Sequence, residues 1–485
     1  MKYIIPSVFA VLVLAVNVLA AQKPNILLLM SDNQSHLHAG CYADKVVQTP
    51  NIDQLAKNGV RFTHAFCAAP SCSPARAAML TGRDIWQLED AANLYGPLQV
   101  KFQTYTDLLE KSGYACGMSG KGWGPGNFRD GGRSRNPGGE KYQNFQEFLT
   151  KTKTGQPWTF WFSSREPHRP YPDGTGEKQR LDRMIVPPYL PDSEEVRKDI
   201  DDYYTAVEQF DTEVGEIIGQ LKTAGQYENT VIVVCSDNGW QMPRGLANLY
   251  DSGMRVPLIM TVPNKSQGVV SDALVSLNDL APTFLELAGV PVPEEMTAKS
   301  LVPLLNGEPF QREFLAAGRE RHAFARHGGL GYPGRSLRTR NFLYIRNFEP
   351  DREPAGDPPL YGDTDAQMLQ YKSPAKVYIL EHSNAAEVKS SFALCFGKRP
   401  AEELYDLRTD AEQVHNVADK LEYRRIKEQL SSQLSDYLTK TGDPRLTGKP
   451  VHWDTAPYSN DRDKTPRPSK EYQHRLGLNE EYDLR

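Results

Sequence analysis

Three short apolar runs constrain this chain most, because each reads as a buried strand that stops abruptly at polar residues. Asn25-Ile26-Leu27-Leu28-Leu29-Met30 runs into Ser31-Asp32-Asn33. Trp158 to Phe162 is followed by Glu166-Pro167-His168, and Thr230 to Cys235 by Ser236-Asp237-Asn238-Gly239. Continuous apolar runs of this length suit strands covered on both faces. Helical patterns lie between them. Thr49-Pro50 opens a helix with Ile52, Leu55 and Ala56 on one face and Gly59 at its end. Asp107 to Lys111 predicts a short helix ended by Gly113. A long helix is predicted to start near Asp192, with Glu195 as a capping-box partner. Its stripe of Ile200, Tyr203, Val207, Phe210, Val214, Ile217 and Leu221 alternates steps of three and four as far as Gly225. Strand, helix and strand in this order predict an α/β fold, a large mixed but mostly parallel sheet sandwiched by helices. Ligands bind such sheets beyond the carboxyl ends of the strands. The polar residues at the three strand ends therefore predict one site on one rim.

The composition fits. Of 485 residues 39% are hydrophobic, enough for a large core, and the formal net charge of −5 lacks the basic excess of a general nucleic-acid binder. Beyond about residue 330 the pattern changes. Ser336 to Asn347 and Val377 to Leu380 predict strands of a more exposed sheet, and Leu421, Ile426, Leu430, Leu434 and Leu438 an amphipathic helix. Asp443 to Arg485 is polar with scattered proline and aromatics, and is expected to wrap the surface. We divide the chain into 1–21, 22–330 and 331–485, the last a smaller α+β subdomain with an antiparallel sheet and an extended tail. Lys2, the apolar stretch Tyr3 to Leu19 and Ala20-Ala21 read as a secretory signal peptide, so the mature protein is expected to be exported, periplasmic or extracellular, with no membrane span. The six cysteines form no CxxC pair, which argues against zinc-ribbon and redox motifs and leaves any disulfide pairing open.

Asp32, Asn33, Asp237 and Asn238 offer only oxygen donors. That set suits Ca²⁺, with Mg²⁺ second, rather than zinc; the plainer alternative is turn and cap residues. Cys72-Ser73-Pro74-Ala75-Arg76 opens a helix that Gly82 closes. Residue 72 thus sits where free N–H groups and the helix dipole favour an anion, and its thiol is expected to have a lowered pKa. Arg76, one turn on, can reach back along the same face. A buried structural cysteine is the alternative.

Cys72-Ser-Pro-Ala-Arg76 followed by Leu80-Thr81-Gly82-Arg83 resembles the motif of the type I sulfatases of the alkaline-phosphatase superfamily. Pro24 to Leu27, Thr49 to Asp53, Gly120-Lys121, Glu166-Pro167-His168, Ser236 to Gly239 and Glu403 to Leu407 match the same family in order, so the resemblance spans about 23 to 440. Pro167-His168-Arg169, Pro243 through Asn248-Leu249-Tyr250, and Tyr332-Pro333 through Arg335 and Arg338 look closest to the sulfamidase (heparan N-sulfatase) branch. The resemblance implies an alkaline-phosphatase-like fold and a sulfatase acting on a sulfated saccharide, a glycosaminoglycan or an algal polysaccharide. It implies that a maturation enzyme oxidises Cys72 to Cα-formylglycine. One hydroxyl of the hydrated aldehyde would attack sulfur and release the alcohol or amine; the other would help expel sulfate as the aldehyde reforms. It further implies Ca²⁺ held by Asp32, Asn33, Asp237 and Asn238 together with residue 72, Arg76 on the formylglycine, Lys121 on a sulfate oxygen, and His168 protonating the leaving group.

The chain also departs from the family. Trp123 stands where a histidine usually follows the active-site lysine, and can stack on a sugar face but move no proton. Leu246 replaces a basic residue, with Arg244 two positions earlier as a substitute charge. Asn33 stands where an Asp might sit, lowering the charge of the site. Arg319, Arg321, His322 and His327 form a basic cluster that could read an acidic sugar, His322 being the candidate contact. Two rivals stay open: a phosphoester or phosphonate hydrolase of the same superfamily, and a silent protein that binds sulfated glycans.

Overall fold

The computed structural model describes residues 23–263, 265, 268–363, 373–479 and 482–485. The signal-peptide reading of 1–21 lies outside them.

Eight strands form the main sheet: β1 (Asn25–Ser31), β2 (Val60–Phe66), β3 (Ala115–Gly120), β4 (Glu140–Lys141), β5 (Trp158–Ser163), β6 (Thr230–Ser236), β7 (Leu258–Thr261) and β8 (Val269–Ser276). Their order is β4-β3-β5-β1-β6-β7-β2-β8, and only β7 runs against its neighbours. All seven residues of β1 and of β6 are buried, as their unbroken apolar sequence requires. Ile26, Leu28 and Met30 pack into the core on one face with Val231 and Val233, whereas Leu27 and Leu29 face the other with Ile232 and Val234. On the first face lie α2 (Cys72–Thr81) and α3 (Tyr105–Lys111); on the second lie α1 (Pro50–Asn58) and the long helix Glu194–Thr223 through Phe210, Val214 and Leu221. Among the described residues no helix is long and apolar enough to cross a membrane.

A second, antiparallel sheet follows, in the order β12-β11-β10-β9. It contains β9 (Phe314–Arg319), β10 (Gly334–Thr339), β11 (Phe342–Asn347) and β12 (Glu402–Asp406). Its first strand thus precedes residue 331, and Leu337, Tyr344 and Leu404 share one hydrophobic core with the main sheet.

Three local expectations change. Val377 to Leu380 is not a strand but part of the helix Pro374–Glu381, where Pro374 starts the first turn and Ala375 and Ile379 are fully buried. The long helix is capped by Ser193, whose side chain accepts from Val196 N, rather than by Asp192. Leu421 is 82% exposed in a turn before the helix Arg424–Lys440, whose buried stripe is Leu430, Leu434 and Leu438.

Candidate active site at the carboxyl ends of the strands

Four adjacent parallel strands, β3-β5-β1-β6, point their carboxyl ends at one spot. Lys121 follows β3, Ser163 ends β5, Asp32 and Asn33 follow β1, and Asp237 and Asn238 follow β6. Sheet register alone therefore gathers these polar residues. Gly120 is required at the crossing: its φ is +77°, and a Cβ there would lie 1.9 Å from Ser163 O. The peptide that follows closes the junction, with Lys121 N donating to Ser163 O at 3.0 Å.

The first residue of α2 is Cys72, and all ten residues of this helix are buried, so its amino terminus is driven onto the strand ends. Cys72 Sγ lies 3.5 Å from Asp32 Oδ1 and 3.7 Å from Asn33 Oδ1. Arg76, fully buried one turn on, gives Nε to Asp237 Oδ2 at 2.8 Å and Nη1 to Gly122 O at 2.5 Å and Ser163 Oγ at 2.6 Å; its Nη2 is 3.4 Å from Asp32 Oδ1. Lys121 Nζ reaches both Asp32 oxygens, at 2.8 and 2.6 Å. Two buried carboxylates thus meet two cations, which is what keeps charge tolerable away from water.

Electrostatics follow from this pairing. Burial would raise the Asp32 carboxyl, but Lys121 and Arg76 overcome it and hold the group well below the usual carboxylate range. Burial raises Asp237, with the Asp32 charge adding to it against Arg76. The Cys72 thiol contradicts the expectation of a lowered pKa. Burial pushes it well above its ordinary value, outweighing Lys121, and Asp237 and Asp32 act in the same sense. The helix dipole loses to desolvation and two carboxylates.

Asn33 sits at φ +72°, in the left-handed region that Asn tolerates, and its N–H donates to Asp237 Oδ1 at 3.1 Å. Asn238 Nδ2 donates to Asn33 Oδ1, which leaves Asn238 Oδ1 buried without a hydrogen-bond partner. The donor atoms of Asp32, Cys72 and Asp237 lie within 4.8 Å of one another. An orphaned amide oxygen beside two carboxylates fits a hard divalent cation. The Cys72 sulfur is the soft exception in this donor set.

His168 half-faces a cavity of ≈ 750 Å³ that also exposes Asp32, Cys72 and Lys121. Its Nδ1 is 2.6 Å from Arg169 O. A carbonyl only accepts, so Nδ1 carries the proton and Nε2 is left for the cavity. The next residue anchors this loop: Arg169 is buried and pairs with Asp199 of the long helix at 2.7 Å, and its N–H donates to Gln241 Oε1 at 2.9 Å.

Other expected contacts are placed differently. Arg244 is fully buried, gives Nη1 to Leu394 O at 2.6 Å and stacks 3.7 Å over the Tyr250 ring, so it does not replace the charge missing at Leu246, which lines the cavity. Trp123 lines the cavity too but is 2% exposed and packs into the core, too deep to offer a sugar a ring face. The basic cluster separates. Arg319 pairs with Asp363, His327 is exposed elsewhere, and Arg321 binds the tail carbonyl of Ala456 at 2.7 Å. Only His322 of these four lines the cavity, with Nδ1 2.8 Å from Ser71 Oγ at the cap of α2; burial lowers its pKa to about 4. Sequence reasoning missed Ser163 and Gln241, although both stand beside strand-end motifs already singled out. It also missed Tyr95, Asn460 and Asp463 on the cavity wall.

Fold and floor together define an α/β protein with a candidate nucleophile at the strand ends, held between paired carboxylates and cations. The comparisons specify it. The sequence model described as Sulfatase matches residues 24–137 and 139–290, and the chain belongs to this family of sulfate-ester and N-sulfate hydrolases. It is 28% identical over 447 residues to an ulvan-active sulfatase of Formosa agariphila, covering 87% of this chain and 81% of that one. It is 27% identical over 485 residues to N-sulphoglucosamine sulphohydrolase of Homo sapiens, covering 89% and 93%. A solved structure in complex with its substrate D-glucosamine-2-N,6-O-disulfate shares the fold at TM-score 0.62 and 19% identity, covering 88% of this chain and all of that one.

Proposed function

We propose that this chain is an exported sulfatase that removes sulfate from a sulfated saccharide, with Cys72 matured to formylglycine by a dedicated enzyme. The observation that carries the reading is residue 72 at the mouth of a buried helix, 3.5 Å from Asp32, with Arg76 and Lys121 converging on the same carboxylates. Asp32, Asn33, Asp237 and Asn238 would hold the divalent cation, with Ca²⁺ the preferred ion for all-oxygen donors. When bound, it would supply a fixed positive charge against sulfate oxygens. Arg76 holds the Asp237 carboxylate in place and would stabilise the formylglycine. Lys121, the more accessible cation, faces the cavity and can exchange an Asp32 contact for a sulfate oxygen. His168, its tautomer fixed by Arg169 O, presents Nε2, which in the imidazolium form gives its proton to the departing oxygen or nitrogen. The names of the human and Formosa relatives support a saccharide carrying N- or O-sulfate.

Trp123 and Leu246 favour one rival, the silent glycan binder, because both put buried apolar surface where the family pattern carries polar groups. A single experiment decides. Matured protein is given matched aryl sulfate and aryl phosphate. Sulfate hydrolysis that disappears in Cys72→Ala supports the sulfatase; preference for the phosphate, no turnover of either, or turnover surviving the substitution contradicts it.

A further inference from the structure

Three residues beside the floor that the sequence offered as sugar or charge contacts do not serve as such. Trp123 is buried, Leu246 makes no hydrogen bonds through its side chain, and Arg244 points elsewhere. One wall of the cavity differs in kind. Tyr95 lines it with a half-buried ring and a backbone held at φ +65°, a conformation that costs a non-glycine residue on the order of 1 kcal/mol or more. Its N–H points to Ser73 Oγ at 3.4 Å, next to Cys72, and its hydroxyl accepts from Asn460 Nδ2 at 2.9 Å. Asn460 and Asp463 come from the far end of the chain and line the same cavity.

This tail segment is seated, not loose. Trp453 is 2% exposed and gives Nε1 to Glu89 O at 2.8 Å, while Asn93 Nδ2 donates to Trp453 O at 2.8 Å. Arg321 binds Ala456 O and stacks 5.2 Å over the Tyr458 ring. Tyr458 is buried, meets Tyr95 edge-on at 5.1 Å between centroids, and donates its hydroxyl to Asp463. A buried aromatic thus fixes both the ring and the carboxylate that face the cavity.

A half-exposed aromatic ring beside an amide and a carboxylate is the chemistry that binds a pyranose: the ring takes the C–H face and the polar pair takes hydroxyls. We propose that Tyr95, Asn460 and Asp463 form the sugar subsite of this cavity. This rests on the reading of the cavity as a sulfated-saccharide site.

The test is binding rather than turnover, so a failure of catalysis and a failure of the subsite give different results. Cys72→Ala protein with calcium present is titrated calorimetrically with inorganic sulfate, N-sulfoglucosamine, 6-O-sulfated N-acetylglucosamine, a monosulfated ulvan disaccharide and glucosamine 2-N,6-O-disulfate. At least one monosulfated saccharide should bind more tightly than inorganic sulfate. Adding Asn460→Ala and Asp463→Asn should weaken that saccharide about tenfold more than sulfate, about 1.4 kcal/mol. No saccharide binding above sulfate, or equal losses for both ligands, would overturn the proposal.

Discussion

The floor and one wall of the same cavity are built by different means. On the floor, Asp32, Arg76, Lys121 and Asp237 come from strand ends and one buried helix, and each is locked by a partner of opposite charge. On the wall, Tyr95, Asn460 and Asp463 come from a loop and the C-terminal tail and are partly exposed, and the Tyr95 ring is held by the Asn460 amide and by the edge of Tyr458. Position on the floor is dictated by the sheet, so it leaves little room for variation. The wall can change without disturbing the sheet, which suits a fold that keeps its reaction and alters its substrate.

The contrast can be broken most forcefully at residue 72. Cys72→Ala, which cannot be matured, should release sulfate on the order of 10⁴-fold or more slowly than matured wild type while its circular dichroism spectrum stays that of wild type. Arg76→Ala should differ by also unfolding more easily. It strands the Asp237 carboxylate in a dry interior, while Asp32 keeps Lys121, so denaturant titration should show a loss of about 3–5 kcal/mol. Lys121→Ala removes a cation that solvent partly reaches; steady-state kinetics should give a loss of about 10²–10³-fold in kcat, with a smaller stability change than Arg76→Ala. At the wall, Asp463→Asn should move unfolding free energy by no more than about 0.5 kcal/mol. A stability loss there matching Arg76→Ala would erase the distinction.

The smallest effect is a pH dependence away from both regions. His38 is buried against Tyr203, its Nδ1 2.9 Å from the hydroxyl, and burial depresses its pKa to about 4. Unfolded, it takes up a proton near its ordinary value of 6.5, so between that pH and about 4 the unfolded chain binds more protons and this residue's contribution falls as pH falls. Unfolding of wild type and His38→Gln across this window should therefore show wild type losing ground on acidification. A constant difference between them would refute the assignment.

The floor was legible because its polar residues directly follow apolar runs whose burial admits one structure. Cys72 was legible as a helix start from Pro74, but its titration was not, since the two carboxylates that oppose the dipole lie 40 and 165 positions away in sequence. The β3 strand, Ala-Cys-Gly-Met-Ser-Gly, hid because small residues replace the apolar run; a Cβ on Gly117 would strike the Phe148 ring at 2.5 Å. The residues Val377 to Leu380 misled for the opposite reason. Four apolar residues carry no period, and packing on the long helix decided for helix. Nothing near Asn460 or Asp463 points to a site, because what places them is Trp453, Tyr458 and Arg321 seating the tail.

The central claim is that the side chain at position 72 is remade before it works. The direct measurement is the mass of the peptide containing residue 72, taken from material that releases sulfate and repeated on protein made without a maturation enzyme. The account predicts the aldehyde in the active preparation and the thiol in the inactive one. An intact thiol in protein that turns over substrate would contradict it.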